Sequence, residues 1–220
     1  MLFKKPHALL LEFIIAIAAL CAVATQFALF MHDRNPASQS TLGAVIGFFS
    51  YFTILTNLLV AVTLLGRVWG RLAPDHTLSK WLLRADTASA CALYIVLVGI
   101  VYELLLRRLQ TLTGTGAVAN YVLHDFVPIM YVLYWIGCVR KGELSFGHIA
   151  GWLIYPLLYA SWVLARGAYT GRYPYPFINA LKFGYTRVAI NCVVLTAAIV
   201  AGALLLVSAD RMLARLRVRA

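Results

Sequence analysis

Charge is scarce in this sequence: only 12% of its 220 residues are Asp, Glu, Lys or Arg. A soluble domain of ordinary composition carries about twice that share. Cysteine is sparse as well. Cys21, Cys91, Cys138 and Cys192 each sit in or at the edge of a different apolar run and show no C-x-x-C spacing. That excludes a disulfide or zinc framework and leaves four small buried hydrophobes. There is no G-x-S-x-G, the strand-to-helix elbow of the common serine hydrolases, and Gly114-Thr115-Gly116 is too short for a phosphate-binding loop. Only two histidines, His124 and His148, fall in apolar runs. They lie at different depths, which disfavours a haem or metal held between them. No cofactor is expected. Internal repeats of the transporter kind and low-complexity tails are also missing.

What is abundant is apolar surface. Hydrophobic residues make up 62% of the chain and the mean hydropathy is +0.83. That much apolar surface needs a lipid solvent, and lipid admits only helices and closed barrels, because every backbone polar group must be satisfied internally. The runs are long and continuous rather than short and alternating, so the expected fold is all-α: a polytopic membrane protein, a six-transmembrane-helix bundle. The spans are expected near 8–30, 43–65, 81–105, 117–139, 147–164 and 187–207, the fifth being the shortest, in one membrane domain covering 1–220. The first run resembles a secretory signal, with Lys4 and Lys5 ahead of it and Ala22-Val23-Ala24 as a cleavage site. Glu12 interrupts it and hydrophobicity continues to Phe30, so a retained helix is expected.

The formal net charge of +11 would point to nucleic acid in a soluble protein. Here the basic residues lie between and beyond the apolar runs, so no nucleic-acid partner is expected and the charge reads as topological. Twelve Lys and Arg fall at the two ends and in the second and fourth connections, among them Arg67, Arg71, Arg211 and Arg215; seven, including Arg107, Arg108 and Arg187, fall on the other side. The larger set belongs in the cytoplasm. The expectation is a plasma (inner) membrane protein with both termini cytoplasmic and with membrane lipids as its partners. The connection holding Tyr173-Pro174-Tyr175-Pro176-Phe177 reads as an interfacial aromatic belt or as a cap over a cavity.

Polar groups inside spans are costly and mark candidate sites. The second run holds Thr53, Thr56 and Asn57; Thr53 and Asn57 share a helix face at four-residue spacing, with Thr56 beside them. The fourth holds His124 and Asp125, followed by Pro128. Counted from the run starts, Thr53 lies about 15 Å and His124 about 10 Å into the membrane, close enough in depth to meet. A threonine hydroxyl needs a base to become a nucleophile, and neutral imidazole is the usual one. Thr53 and His124 therefore form a candidate acyl-transfer pair, with Asn57 and Thr56 as candidate oxyanion donors. Pro128 would free the His124 carbonyl and kink the helix. Asp125 points away from its neighbour's ring and is a supporting candidate, protonated or paired with Arg187. Against this stands the reading of the same residues as helix-to-helix glue in a non-enzymatic lipid-binding or small-solute transport protein.

The segments Phe49-Ser50-Tyr51-Phe52-Thr53-Ile54-Leu55-Thr56-Asn57-Leu58, Leu123-His124-Asp125-Phe126-Val127-Pro128 and Tyr155-Pro156 through Trp162, followed by Tyr173-Pro174-Tyr175-Pro176-Phe177, resemble in kind and order the androgen-induced-protein family of membrane threonine hydrolases, in its bacterial six-pass branch. The resemblance implies a lipid-ester hydrolase acting on a lipid-like substrate, fatty acid esters of hydroxy fatty acids in the animal members. It implies Thr53 as nucleophile and His124 as its partner, with Thr56 as the neighbour that a three-residue shift would select instead. The sequence departs from that pattern at Asp125, where a small hydroxyl or apolar residue is expected. Fold alone does not carry function.

Overall fold

The computed structural model describes residues 5–37, 39–73, 75–109 and 111–219; Lys4, counted in the charge balance, lies outside them. The described residues are helical or irregular, with no strand. Among the described residues six helices are long and apolar enough to cross a membrane: His7–His32, Phe52–Arg71, Ala85–Leu109, Gly114–Cys138, His148–Thr170 and Ala180–Arg217. The protein is an all-α, multi-pass membrane protein. It divides into two compact units, Met1–Lys141 and Gly142–Ala220.

The first unit packs α1 (Lys5–His32), α3 (Phe52–Leu72), α5 (Ala85–Val101) and the helix formed by α6 (Gly114–Tyr121) and α7 (Val127–Cys138), with α2 (Thr41–Phe48) and α4 (Thr77–Leu82) as short connecting helices. The second expected span, 43–65, is displaced. The chain leaves α2 at Phe48, turns through Phe49-Ser50-Tyr51 and starts the spanning helix afresh at Phe52. Ser50 Oγ donates to the Ile46 carbonyl at 2.6 Å, while Ser50 N and Tyr51 N reach back only three residues, to Gly47 and Phe48. These tight bonds satisfy the last carbonyls of α2 and stop it. Phe48 then wedges against Phe27 and Phe30 of α1, with ring centroids at 5.1 and 5.5 Å.

At the other end of this unit lies a buried ionic cluster. Glu12 of α1 is fully buried. Its carboxylate accepts from both terminal nitrogens of Arg71, one of these bonds being 2.8 Å, and from Tyr134 Oη at 2.6 Å. Arg67 Nε stands 3.6 Å away, and Arg67 Nη1 donates to the Leu82 and Arg84 carbonyls. Arg67 and Arg71 were expected to be topological charges; Arg67 is 4% exposed and is instead part of the core. Glu12 joins α1 to α3 and α7, so the helix that resembled a signal segment is built into the unit. α5 and α7 are stitched by Tyr131 Oη donating to Ala88 O at 3.1 Å and Trp135 Nε1 donating to Ser89 Oγ at 2.7 Å. In a membrane such bonds and close packing replace the hydrophobic effect as the force between helices.

The second unit is a helical hairpin of α8 (His148–Thr170) and α9 (Ala180–Arg219). The fifth span is longer than expected. It was expected to end at 164, but Arg166 stays helical and sends its guanidinium to the Arg172 carbonyl. The helix stops at Gly171, whose left-handed φ of 71° suits glycine and whose N–H caps Gly167 O. The aromatic connection that follows folds onto α9: Asn191 Nδ2 donates to Phe177 O at 2.7 Å, and the Tyr175 and Phe177 rings stack at 5.2 Å. His148 accepts from Ser145 N at the start of α8 and stacks on Trp152.

Candidate functional site

The restart of the chain at Phe52 decides where Thr53 lies. It is the second residue of α3, not ten residues into a span. A helix N-terminus carries the positive end of the macrodipole, which favours negative charge on nearby oxygen.

His124 arrives from a different local device. The helix Gly114–Cys138 passes through Pro128 without interruption, but its turn Val122–Phe126 widens to π geometry, with Val127 N bonded to Val122 O. Proline brings no N–H for the carbonyls behind it. A π turn accommodates that loss, and such turns recur at functional sites. One of the carbonyls behind Pro128, Leu123 O, accepts from Asn57 Nδ2 at 3.3 Å. The His124 carbonyl lies against Gly99 of α5, where a Cβ would come within 3.2 Å of it.

The two helix features bring Thr53 and His124 together: Thr53 Oγ1 is 3.3 Å from His124 Nε2. The other ring nitrogen, Nδ1, is 2.9 Å from the Asn120 carbonyl. A carbonyl only accepts, so in the neutral ring Nδ1 carries the proton and Nε2 turns its lone pair to the threonine hydroxyl. This is the tautomer a general base requires.

The remaining residues divide by what they hold. Asn57, fully buried, donates through Nδ2 to Thr53 O at 2.9 Å as well as to Leu123 O. Both amide protons are thereby taken by main-chain carbonyls, so the oxyanion role expected of Asn57 has no donor left; the side chain instead clamps the backbone of Thr53 to the residue before His124. Thr56 is 0% exposed, whereas Thr53 is 8% exposed. Of the two threonines only Thr53 combines residual access with a bond to the imidazole. Asp125 forms an ion pair with Arg107, which also pairs with Glu103; the expected partner, Arg187, belongs to the second unit.

Three contributors escaped the sequence reading. Asn120 sets the tautomer through its carbonyl and donates through Nδ2 to Tyr102 Oη at 2.5 Å. Tyr102 stacks on the His124 ring with centroids 4.0 Å apart. Arg107, whose charge alone suggests a topological role, follows Tyr102 by one turn in the same span and holds its guanidinium 4.9 Å from the Tyr102 ring centroid. The signal available for Asn120 was its position one turn before His124; nothing in the spacing pointed to Tyr102. Among the described residues no group of three or more His, Cys, Asp or Glu side chains could hold a metal. No protein-family model, curated protein or solved structure matches the chain.

Proposed function

We propose that the protein is a membrane-embedded lipid-ester hydrolase with Thr53 as nucleophile and His124 as base. The observation that carries the reading is the 3.3 Å approach of Thr53 Oγ1 to an Nε2 whose lone pair is kept free by the bond from Nδ1 to Asn120 O. Thr53 Oγ attacks the ester carbonyl while its proton passes to His124 Nε2. The tetrahedral intermediate carries its negative charge beside the N-terminus of α3, where the helix dipole lowers its energy. Collapse expels the alcohol, which takes the proton from Nε2. Water, deprotonated by the same nitrogen, then attacks the acyl-threonine, releases the fatty acid and restores the hydroxyl.

Fatty acid esters of hydroxy fatty acids are the substrate class the family resemblance suggests. The charge balance supports cytoplasmic termini in the inner membrane, with acyl chains entering sideways from the outer leaflet. The clamp made by Asn57 favours a second reading, in which these polar groups serve only to join helices in a lipid-binding or transport protein.

A lipophilic fluorophosphonate applied to purified protein separates the two. Labelling that disappears in Thr53→Ala and His124→Ala but persists in Thr56→Ala is the expected result. Folded wild-type protein that takes no label would transfer the assignment to the non-enzymatic reading.

A further inference from the structure

The far end of α9 carries more helix than a membrane needs. From 185 to 219 the helix runs about 50 Å at 1.5 Å per residue, against a hydrocarbon thickness of about 30 Å. Arg187 to Val207 is long enough to cross, and a crossing there would set the stretch from Ser208 onward at the level of the lipid headgroups. It holds Arg211, Arg215, Arg217 and Arg219 with one acid, Asp210.

That acid is turned inward. Asp210 is buried, and its Oδ2 accepts from the main-chain N–H groups of Gly142 and Leu144 at 2.9 and 3.1 Å. The bonds pin the turn before α8 against α9. Gly142, at φ 86°, permits the close approach: a Cβ there would come within 3.1 Å of Ala214 Cβ. Phe146 is thereby set beside the helix, and Arg211 lies over its ring at 4.4 Å. Between them opens a cavity of about 420 Å³ lined by Phe146, Ser208, Arg211, Met212, Arg215 and Leu216. Two guanidiniums one helical turn apart stand next to three apolar side chains, Phe146, Met212 and Leu216, which are all about half exposed.

We propose that this cavity binds the phosphate-bearing headgroup of an anionic phospholipid. Arg211 and Arg215 take the phosphate oxygens, and Phe146, Met212 and Leu216 take the glycerol and the first methylenes of the acyl chains. Charge complementarity selects the anion, since guanidinium binds phosphate in a forked, charge-assisted pair. The position of the cavity at the headgroup level, with an apolar wall, selects a lipid over a free phosphate. The site is independent of the threonine–histidine pair.

The test uses the full-length protein in neutral detergent, loaded with phosphatidylglycerol or with phosphatidylcholine of the same acyl chains and examined by native mass spectrometry. Wild type is expected to retain phosphatidylglycerol selectively. Arg211→Gln and Arg215→Gln are each expected to weaken retention about tenfold, the loss of one hydrogen-bonded charge. Arg217→Gln removes the same charge from the same segment but lies outside the cavity lining, and is expected to leave retention within about twofold. Equal retention of phosphatidylcholine would overturn the proposal. So would an Arg217→Gln defect as large as that of Arg215→Gln, which would mean diffuse surface attraction. Displacement of the lipid by glycerol 3-phosphate alone would assign the cavity to a soluble phosphate instead. Both tested arginines are exposed, so folding is preserved, as an unchanged melting temperature would verify.

Discussion

Removing the carboxylate of Glu12 isolates a buried cation, and the size of the effect can be worked from distances. Arg67 Nε lies 3.6 Å from Glu12 Oε1, and the two side chains are 5% and 0% exposed. At that separation and an effective dielectric of 20, the attraction is about 4–5 kcal/mol. Glu12→Ala also leaves Tyr134 Oη without its acceptor. Breaking a buried ion pair from one side costs about 3–5 kcal/mol, because the remaining charge keeps its desolvation penalty without its partner. For a chain of this size the apparent melting temperature in detergent should fall by roughly 10 °C. Glu12→Met combined with Arg67→Met should be less damaging than the two single changes together by at least about 1 kcal/mol, since neither member of the fully buried pair is left charged alone; Arg71, 27% exposed, loses Glu12 in the single and the double variant alike. Arg67 stands fourteen residues from Thr53 on the same helix, about 21 Å away. The Glu12→Ala protein that stays folded should therefore still label at Thr53. A melting temperature within about 2 °C of wild type would refute the view that this ionic cluster holds α1 in the unit.

Gly99→Ala puts a methyl group 3.2 Å from the His124 carbonyl and 3.3 Å from Pro128 Cβ, so α5 must shift and carry Tyr102 with it; the expected cost is about 1–3 kcal/mol of stability and a drop in labelling rate greater than the loss of folded protein explains. Asn57→Asp keeps the shape but removes both donated bonds, and should cost about 1–3 kcal/mol per buried carbonyl left without its donor, read as a lower melting temperature; unchanged stability would deny the clamp. Tyr102→Phe should preserve stacking on His124 and most of the activity, whereas Tyr102→Leu should lower kcat more than it raises KM; equal activity in both would remove the ring from the site. Gly167→Ala would drive a Cβ to within 2.1 Å of the Tyr173 ring and should destabilise the hairpin of α8 and α9, visible as faster proteolysis in the 171–179 connection.

The six spans were legible from composition because a bilayer imposes one strong constraint: about 20 apolar residues in succession, with backbone groups satisfied inside the helix. Thr53 and His124 were legible as costly polar groups in such runs. Their depths were not. Only Ser50 and Tyr51 interrupt the phenylalanines between Phe48 and Phe52, too short a dip in the apolar run to mark the break that makes Thr53 the start of a helix. It shows only in the tight hydrogen bonds of Ser50 and Tyr51. Pro128 announced a disturbance near His124, but the form it takes, a widened π turn, depends on what packs beside it, here Gly99 and Asn57 from two other helices.

The sequence by itself determined an all-α membrane protein, the number of its crossings and the residue types available for chemistry, since these follow from how each residue partitions between water and lipid. Only the tertiary structure decided which polar groups became a candidate site and which became glue. Hydropathy treats Glu12, Arg67, Asn57 and His124 alike, as expensive residues in a span. Direction separates them: the Glu12 carboxylate closes on arginines, both Asn57 amide protons close on carbonyls, and the His124 ring, held at one nitrogen by Asn120, presents the other to Thr53.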